Sequence, residues 1–394
     1  MGKLLIIGAG PLQVPLILKA KELGLYTVAV DYNPEAPGAK LADDFYAIST
    51  SDQERIVQLA DDLSIDGVVT NSDFPVRVAS IVGNNRGLPG ISPLTATIAT
   101  NKLLLREILR ENQINQPKFF KVSTLEDVRY FNTKLGLPWI IKPVDSSASR
   151  GVSLVVSESQ IEYAFHRAQQ NSKSSICIME EYVTGEEYSI ESFTNNGHTE
   201  IIAITQKVTS GPPYFVETGH IIPAPIDDEL KRHISNYVKD VIKSIHFTCG
   251  PTHTEIKVKS DKEIVLIEIG PRLGGDYITT DLVPFATGYD IVENTIRAAC
   301  NMELINFDTS GEKCAGVLFI KQKKGVFKGI EGWEEILSKP YVKRGELFVN
   351  IGDSIDELQS SQCRIGYLIL NTDRYADIES AFRTIEKELH LIIT

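Results

Sequence analysis

The stretch KLLIIGAGPLQVPLILKAKELGLYTVAVD, residues 3–31, constrains the fold more than any other part of the chain. An apolar run, a turn at Gly8-Ala9-Gly10, a helical pattern and a second apolar run make a βαβ unit, which places its two strands in a parallel sheet. The alternation continues with strands over 44–48 and 66–70, a helix over 52–63 and another through FPVRVASIVGNN. Residues 1–92 therefore read as a parallel sheet covered on both faces. The opening turn also approximates G-x-G-x-x-G, with Asp31 at the distance where an acidic residue takes a ribose. Gln13 replaces the third glycine and Pro11 occupies the first turn, so a plain strand-turn-helix bend competes with the dinucleotide reading.

The chain has 394 residues, enough for two to four domains, and its 42% hydrophobic and 23% charged residues suit a globular protein. No apolar run reaches the ~18 residues of a membrane span, and the first residues show no signal-peptide pattern. Five scattered cysteines with no C-x-x-C pair argue against a disulfide framework and a zinc site. A net charge of −12 disfavours nucleic acid and anionic lipid as partners. A cytoplasmic enzyme acting on small molecules is the expectation.

Beyond residue 92, SPLTATIATNKLLLREILRENQI (92–114) reads as one helical stretch ending before Pro117. Strands are expected at 118–122, 139–143, 152–156 and 176–182, with helices at 124–135 and 158–170. Asn196-Gly197 then marks a hairpin, followed by a helix over 227–246. The tail, 312–394, alternates in CAGVLFIKQ and RIGYLILN and ends in a helix.

The chemistry concentrates in 252–275. If Asp261-Lys262 is a two-residue turn, antiparallel register pairs Ser260 with Glu263, Val258 with Val265, Ile256 with Ile267 and Glu255 with Glu268. The two carboxylates then face each other, which destabilises the ladder unless Mg²⁺ with nucleotide phosphates, or the nearby Lys257, neutralises them. Without metal, at least one should titrate above the usual carboxylate range. Arg272 follows among glycines, suited to gripping carboxylate or phosphate, and Gly274-Gly275 admits close backbone approach. Upstream, Lys142 ends the strand LPWIIKP before a loop of small residues, and Lys102 begins a helix. IMEEYVTGEEYS (178–189) joins two strands through a linker whose backbone groups could meet an adenine edge.

These pieces, in this order, resemble the ATP-grasp superfamily over nearly the whole chain. The resemblance implies an α/β and α+β protein: a Rossmann-like pre-grasp domain (1–92), a helical linker (93–116), a small nucleotide-covering subdomain (117–185), a large catalytic subdomain (186–310) and a C-terminal α+β lobe (311–394). It implies that Lys102 and Lys142 contact ATP phosphates beneath the loop Ser146–Gly151, with Ser147, Ser149 and Gly151 lining it. Glu180 and Val183 would meet adenine and Glu187 the ribose. Glu255 and Glu268 would hold Mg²⁺, with Mn²⁺ as an alternative, and Arg272 would steady an acyl phosphate. In TSGPPYFVETGHIIPAP (209–225), Glu217 and His220 resemble groups that contact an amino-acid substrate, together with Arg272, Gly274 and Gly275. Two departures stand out: Gly270 where the family commonly has Asn, and Ala148 where relatives often carry glycine. The implied activity is ADP-forming ligation of a carboxylate and an amine through an acyl phosphate, in a possible homodimer. A bicarbonate-phosphorylating or purine-biosynthetic relative, or an ATP-binding protein without turnover, is the alternative. The Gly8–Gly10 turn then belongs to a domain that holds substrate rather than NAD.

Overall fold

A computed structural model describes residues 2–147, 150–211, 216–308 and 313–394. The N-terminal strands Lys3–Ile7, Tyr26–Asp31, Asp44–Ala47 and Gly67–Val69 form an all-parallel sheet, with Lys3–Ile7 between Tyr26–Asp31 and Gly67–Val69. Strands Lys3–Ile7, Tyr26–Asp31 and Gly67–Val69 are near-continuous apolar runs and mostly buried, as a sheet covered on both faces requires, while the edge strand Asp44–Ala47 is only partly covered. At the first turn, Gly8 has φ +107°, and an added Cβ would meet Gln13 Cδ at 2.9 Å. The buried Gln13 thus fills the space over the turn, and its Nε2 donates to Ser72 Oγ at 2.7 Å. Asp31 is engaged within its own loop, where it accepts the Ala9 and Asn33 backbone N–H groups at 2.9 and 3.0 Å.

The expected single helix over 92–114 is two, Pro93–Ala99 and Lys102–Glu111. Asn101 makes the break: its extended backbone interrupts the first helix, and its side chain caps the second by accepting the Leu103 and Leu104 N–H groups. This places Lys102 at the first helical position.

A small antiparallel sheet follows, in the order Phe119–Val122, Cys177–Glu181, Trp139–Pro143, Ser153–Val155. The large sheet has eight strands and carries the remaining site residues. Glu186–Asn195 and His198–Thr209 turn at Asn196-Gly197, both residues having positive φ, as a tight hairpin demands. Glu217–Ile222 lies beyond them on one side, and Gly250–Val258 with Ile264–Gly270 on the other. Strands Cys314–Phe319, Gly366–Thr372 and Val342–Leu347 from the tail continue the same sheet.

The 252–270 hairpin corrects the expected register in part. Val258 pairs with Ile264 and Ile256 with Leu266, so the connection spans 259–263, where Lys262 adopts φ +65°. A bulge at Ile267 then shifts the frame by one residue, and Glu255 does oppose Glu268. The expected pairs Val258–Val265 and Ile256–Ile267 do not form, because the longer turn is compensated only beyond Ile256.

Candidate active site

Helix Lys102–Glu111 and strands Trp139–Pro143, Cys177–Glu181 and Ile264–Gly270 build a cationic end. Lys142 Nζ lies 2.6 Å from Glu180 Oε2, and Arg106 Nε donates to Glu180 Oε1 at 2.7 Å. All three side chains are buried, so one carboxylate stands against two cations and the trio carries a net positive charge. Burial alone would raise the Glu180 carboxyl, but Arg106 and Lys142 hold it down at about 2. Lys102 Nζ donates to Glu268 Oε1 and to the Ser146 carbonyl, both at 2.8 Å. Arg106 NH2 donates to the carbonyl of the bulged Ile267 at 2.9 Å, which ties this end to the hairpin that carries Glu255 and Glu268.

Of the loop residues, Ser147 accepts the Arg150 N–H through its carbonyl at 3.3 Å. Gly151 has φ +77° and packs so closely that a Cβ would meet Asn171 and Pro143 at 2.8 Å. Ser149, like Ala148, lies outside the described residues.

The other end is acidic. Lys207 Nζ, almost fully buried, lies 2.6 Å from Glu187 Oε1, 3.2 Å from Glu255 Oε1 and 3.6 Å from Glu217 Oε1. Its ammonium is shifted far up: burial opposes the charge, but Glu255, Glu187 and Glu217 more than offset that. His253 joins the fully buried Glu191, Nδ1 to Oε1 at 2.5 Å, to Glu255, Nε2 to Oε1 at 3.3 Å. Burial would lower the His253 pKa, yet Glu191 and Glu255 raise it to about 9. The Glu255 carboxyl consequently falls well below its usual value: desolvation would raise it, but Lys207 and His253 prevail. The expectation of a raised carboxyl in this pair is thus corrected for Glu255. It weighed the facing Glu268 alone and omitted two cations: Lys207, two strands away in the sheet, and His253, two residues upstream. Lys257 does not relieve the pair either; its Nζ donates to the Val183 carbonyl at 3.2 Å and lies 3.8 Å from Glu187 Oε2. Glu187, Lys207, Lys257 and Tyr182 line a cavity of about 320 Å³ beside Val183, on the scale of a small-ligand pocket.

Among the described residues no group of three or more His, Cys, Asp or Glu is disposed to hold a metal ion. Glu255 and Glu268 nevertheless fit Mg²⁺ as a pair. Each uses Oε1 for its cation partners and leaves Oε2 without a hydrogen bond among the described residues, and hard oxygens shared with phosphates are what Mg²⁺ takes.

Arg272 Nε donates to Asp73 Oδ1 at 2.9 Å, and NH1 donates to the Leu273 carbonyl at 2.9 Å. Gly274 N–H donates to Glu191 Oε2 at 3.2 Å; a Cβ there would lie 2.6 Å from Glu191 Oε1, so a side chain at 274 would displace Glu191. Next come Asp276 and Tyr277, both with positive φ and neither a glycine, then a turn of π-helix over Ile278–Leu282. Backbone of this kind persists only where its surroundings hold it. Here the tail does so: Arg364 grips Asp276 with both terminal nitrogens at 2.8 and 2.9 Å, and Tyr277 stacks on Tyr367 at 4.0 Å. Arg364 also donates to Glu217 Oε2 at 3.2 Å and lies over the Phe319 ring, 3.6 Å from its centroid. His220 Nε2 is 3.3 Å from Asp276 Oδ2, while its buried Nδ1 has no hydrogen-bond partner among the described residues.

These contacts bring Lys102, Lys142, Glu180 and Glu268 together at one end and Glu187, Glu217 and Glu255 at the other, with Gly275 in the same turn as Gly274. Missing from the residues named from the sequence were Asp73, Arg106, Glu191, Lys207, His253, Asp276 and Arg364. Arg106 alone carried a readable signal, since it shares the spacing of Lys102, Leu105 and Leu109 and so falls on the buried helix face.

The model of the ATP-grasp domain matches residues 135–281. The chain thus carries an ATP-grasp domain over that stretch. The model of the L-amino acid ligase C-terminal domain 2 matches residues 317–394, so the tail that holds Asp276 is a domain of that kind. The alanine–anticapsin ligase of Bacillus amyloliquefaciens is 29% identical over 244 residues, 56% of this chain and 51% of the relative. The match thus spans about half the length of that relative. A formate-dependent phosphoribosylglycinamide formyltransferase of Prochlorococcus marinus (MED4) is 25% identical, covering 90% of this chain and 93% of the relative. The crystal structure of an L-amino acid ligase from Bacillus licheniformis superimposes with TM-score 0.85 at 25% identity, covering 100% and 99% of the two chains. No helix among the described residues is long and apolar enough to cross a membrane.

Proposed function

We propose that this chain is an ATP-dependent ligase joining a carboxylic acid to an amine, with an amino acid as the acid. The observation that carries the reading is the cationic trio Arg106–Glu180–Lys142 beside the facing pair Glu255 and Glu268, with Arg272 at the edge of the same cleft. A trio with one unbalanced buried positive charge favours an anion, and a triphosphate supplies it. Condensing a carboxylate with an amine fails in water because the carboxylate is a poor electrophile. In the proposed reaction a carboxylate oxygen attacks the γ-phosphorus, ADP leaves, and the amine then displaces phosphate from the acyl carbon, losing a proton. Lys102 and Lys142 offset charge on the phosphates, and Arg272 holds the acyl phosphate. Glu255 and Glu268 would hold Mg²⁺, which would neutralise phosphate charge when bound. Glu217 and Asp276 present carboxylates to the ammonium of the amino acid, and His220 stands beside them.

The long match to a formate-dependent enzyme supports a second reading, in which the acid is as small as formate or bicarbonate. ADP release measured across a panel of amino acids, formate and bicarbonate, with and without amines, separates the two. Release that requires an amino acid supports the first reading, and release that requires formate or bicarbonate supports the second. Its absence with every pair rejects ligase activity.

A further inference from the structure

We propose that Asp73, on the N-terminal domain, is a positioning residue that aims the guanidinium of Arg272 at the reacting phosphoryl group. The inference rests on the ligase reading above for what Arg272 does, and on geometry for how Asp73 does it. Arg272 belongs to the large sheet's end, whereas Asp73 lies between strand Gly67–Val69 and helix Pro75–Arg86, 199 residues away in sequence. Their contact uses the Nε edge of the guanidinium, and the Leu273 carbonyl takes NH1. NH2 carries no hydrogen bond among the described residues, so the fork is fixed at its base and open at its tip.

Two further observations converge on this pair. Residue 270 is a glycine, and a Cβ there would stand 3.3 Å from Asp73 Oδ1 and 3.4 Å from Arg272 Nε and Cζ. The ion pair thus lies against bare backbone, on ground that any side chain at 270 would contest. Asp73 is also braced from behind. Its neighbour Ser72 accepts from Gln13, the residue that replaces the third glycine of the opening turn, and Asn71 donates to the Leu12 carbonyl at 3.3 Å. The departures at Gln13 and at Gly270 thereby acquire one shared consequence: the N-terminal domain sets the direction of an arginine at the end of the large sheet. A group held through a neighbour in this way depends on that neighbour for aim rather than for presence.

The test compares D73N, D73E and G270N with the native chain. In the ADP-forming assay, D73N is expected to lower kcat about 10- to 100-fold with KM for MgATP little changed, as loss of a second-layer partner does. D73E, which keeps the charge, should recover part of that loss, and G270N should resemble D73N. A kcat for D73N close to native overturns the proposal, as does a loss matched by a fall in Tm and not recovered by D73E. A second readout needs no turnover: proton exchange at the Arg272 Nε–H, followed by NMR, should be slow in the native chain and fast in D73N. Equal exchange rates overturn the positioning role. Slow native exchange in a chain that makes no ADP with any acid and amine would instead reject the ligase reading alone.

Discussion

The two ends of the cleft are built on opposite charge. At one end Lys102, Arg106 and Lys142 face Glu180 and Glu268, leaving positive charge in excess. At the other, Glu187, Glu191, Glu217, Glu255 and Asp276 outnumber Lys207, Arg364 and a protonated His253. Neither excess is favourable by itself in a partly desolvated site, so under the proposed function each end is completed by a ligand of the opposite sign. The cationic end suits phosphates, and the acidic end suits an ammonium group and a divalent cation. They also differ in construction. The cationic end is made by secondary-structure elements of the ATP-grasp domain and the upstream helix Lys102–Glu111, whereas the acidic end relies on Arg364 and Tyr367 from the tail.

The largest effect expected from disturbing this division is at Glu180. Glu180→Gln leaves two buried cations unpaired and should cost about 3–5 kcal/mol of stability, read by denaturant unfolding at neutral pH. The pH dependence has a defined sign. The folded carboxyl titrates at about 2 against an ordinary 4.5, so its contribution is present above pH 4.5 and lost as pH falls towards 2. The variant should therefore show a flatter decline of stability over that window. An unchanged acid limb would mean that the trio is not what stabilises this end.

Next comes Lys142→Ala, which removes one of the trio's two cations. ADP formation should fall about 100- to 1000-fold, the scale for removing one charge-stabilising donor. Native-like kinetics in this variant would remove Lys142 from the phosphate site. The smallest effect belongs to the acidic end. Asp276→Asn should raise KM for the amino acid about tenfold, the weight of one charge-assisted hydrogen bond, while KM for MgATP stays put. A rise in KM for MgATP instead would erase the distinction between the ends.

That difference in construction also decides what could be read in the sequence. The parallel sheet was legible because each strand is an apolar run next to its own helix. Lys142 was legible because it ends such a run. The facing of Glu255 and Glu268 was reached through a turn one register out, and a bulge at Ile267 restored the frame; no periodicity announces a bulge. Lys207 looked like an ordinary polar residue near the end of a strand, because its burial comes from three carboxylates on other strands. Asp276 and Arg364 lie 88 residues apart, and nothing local to either shows that the tail folds back to hold a strained turn. Sites formed within one hairpin or one helix leave a spacing to read; sites closed by a distant lobe do not.

The central claim is an acyl phosphate formed at the meeting point of the two ends. It is tested most directly by supplying the amino acid labelled with ¹⁸O in its carboxylate, together with MgATP and an amine, and analysing the released phosphate by mass. Transfer of one ¹⁸O from acid to phosphate, with ADP as the nucleotide product, is the predicted result. Amide formation with AMP as the nucleotide product, or ADP release with unlabelled phosphate, would contradict the account.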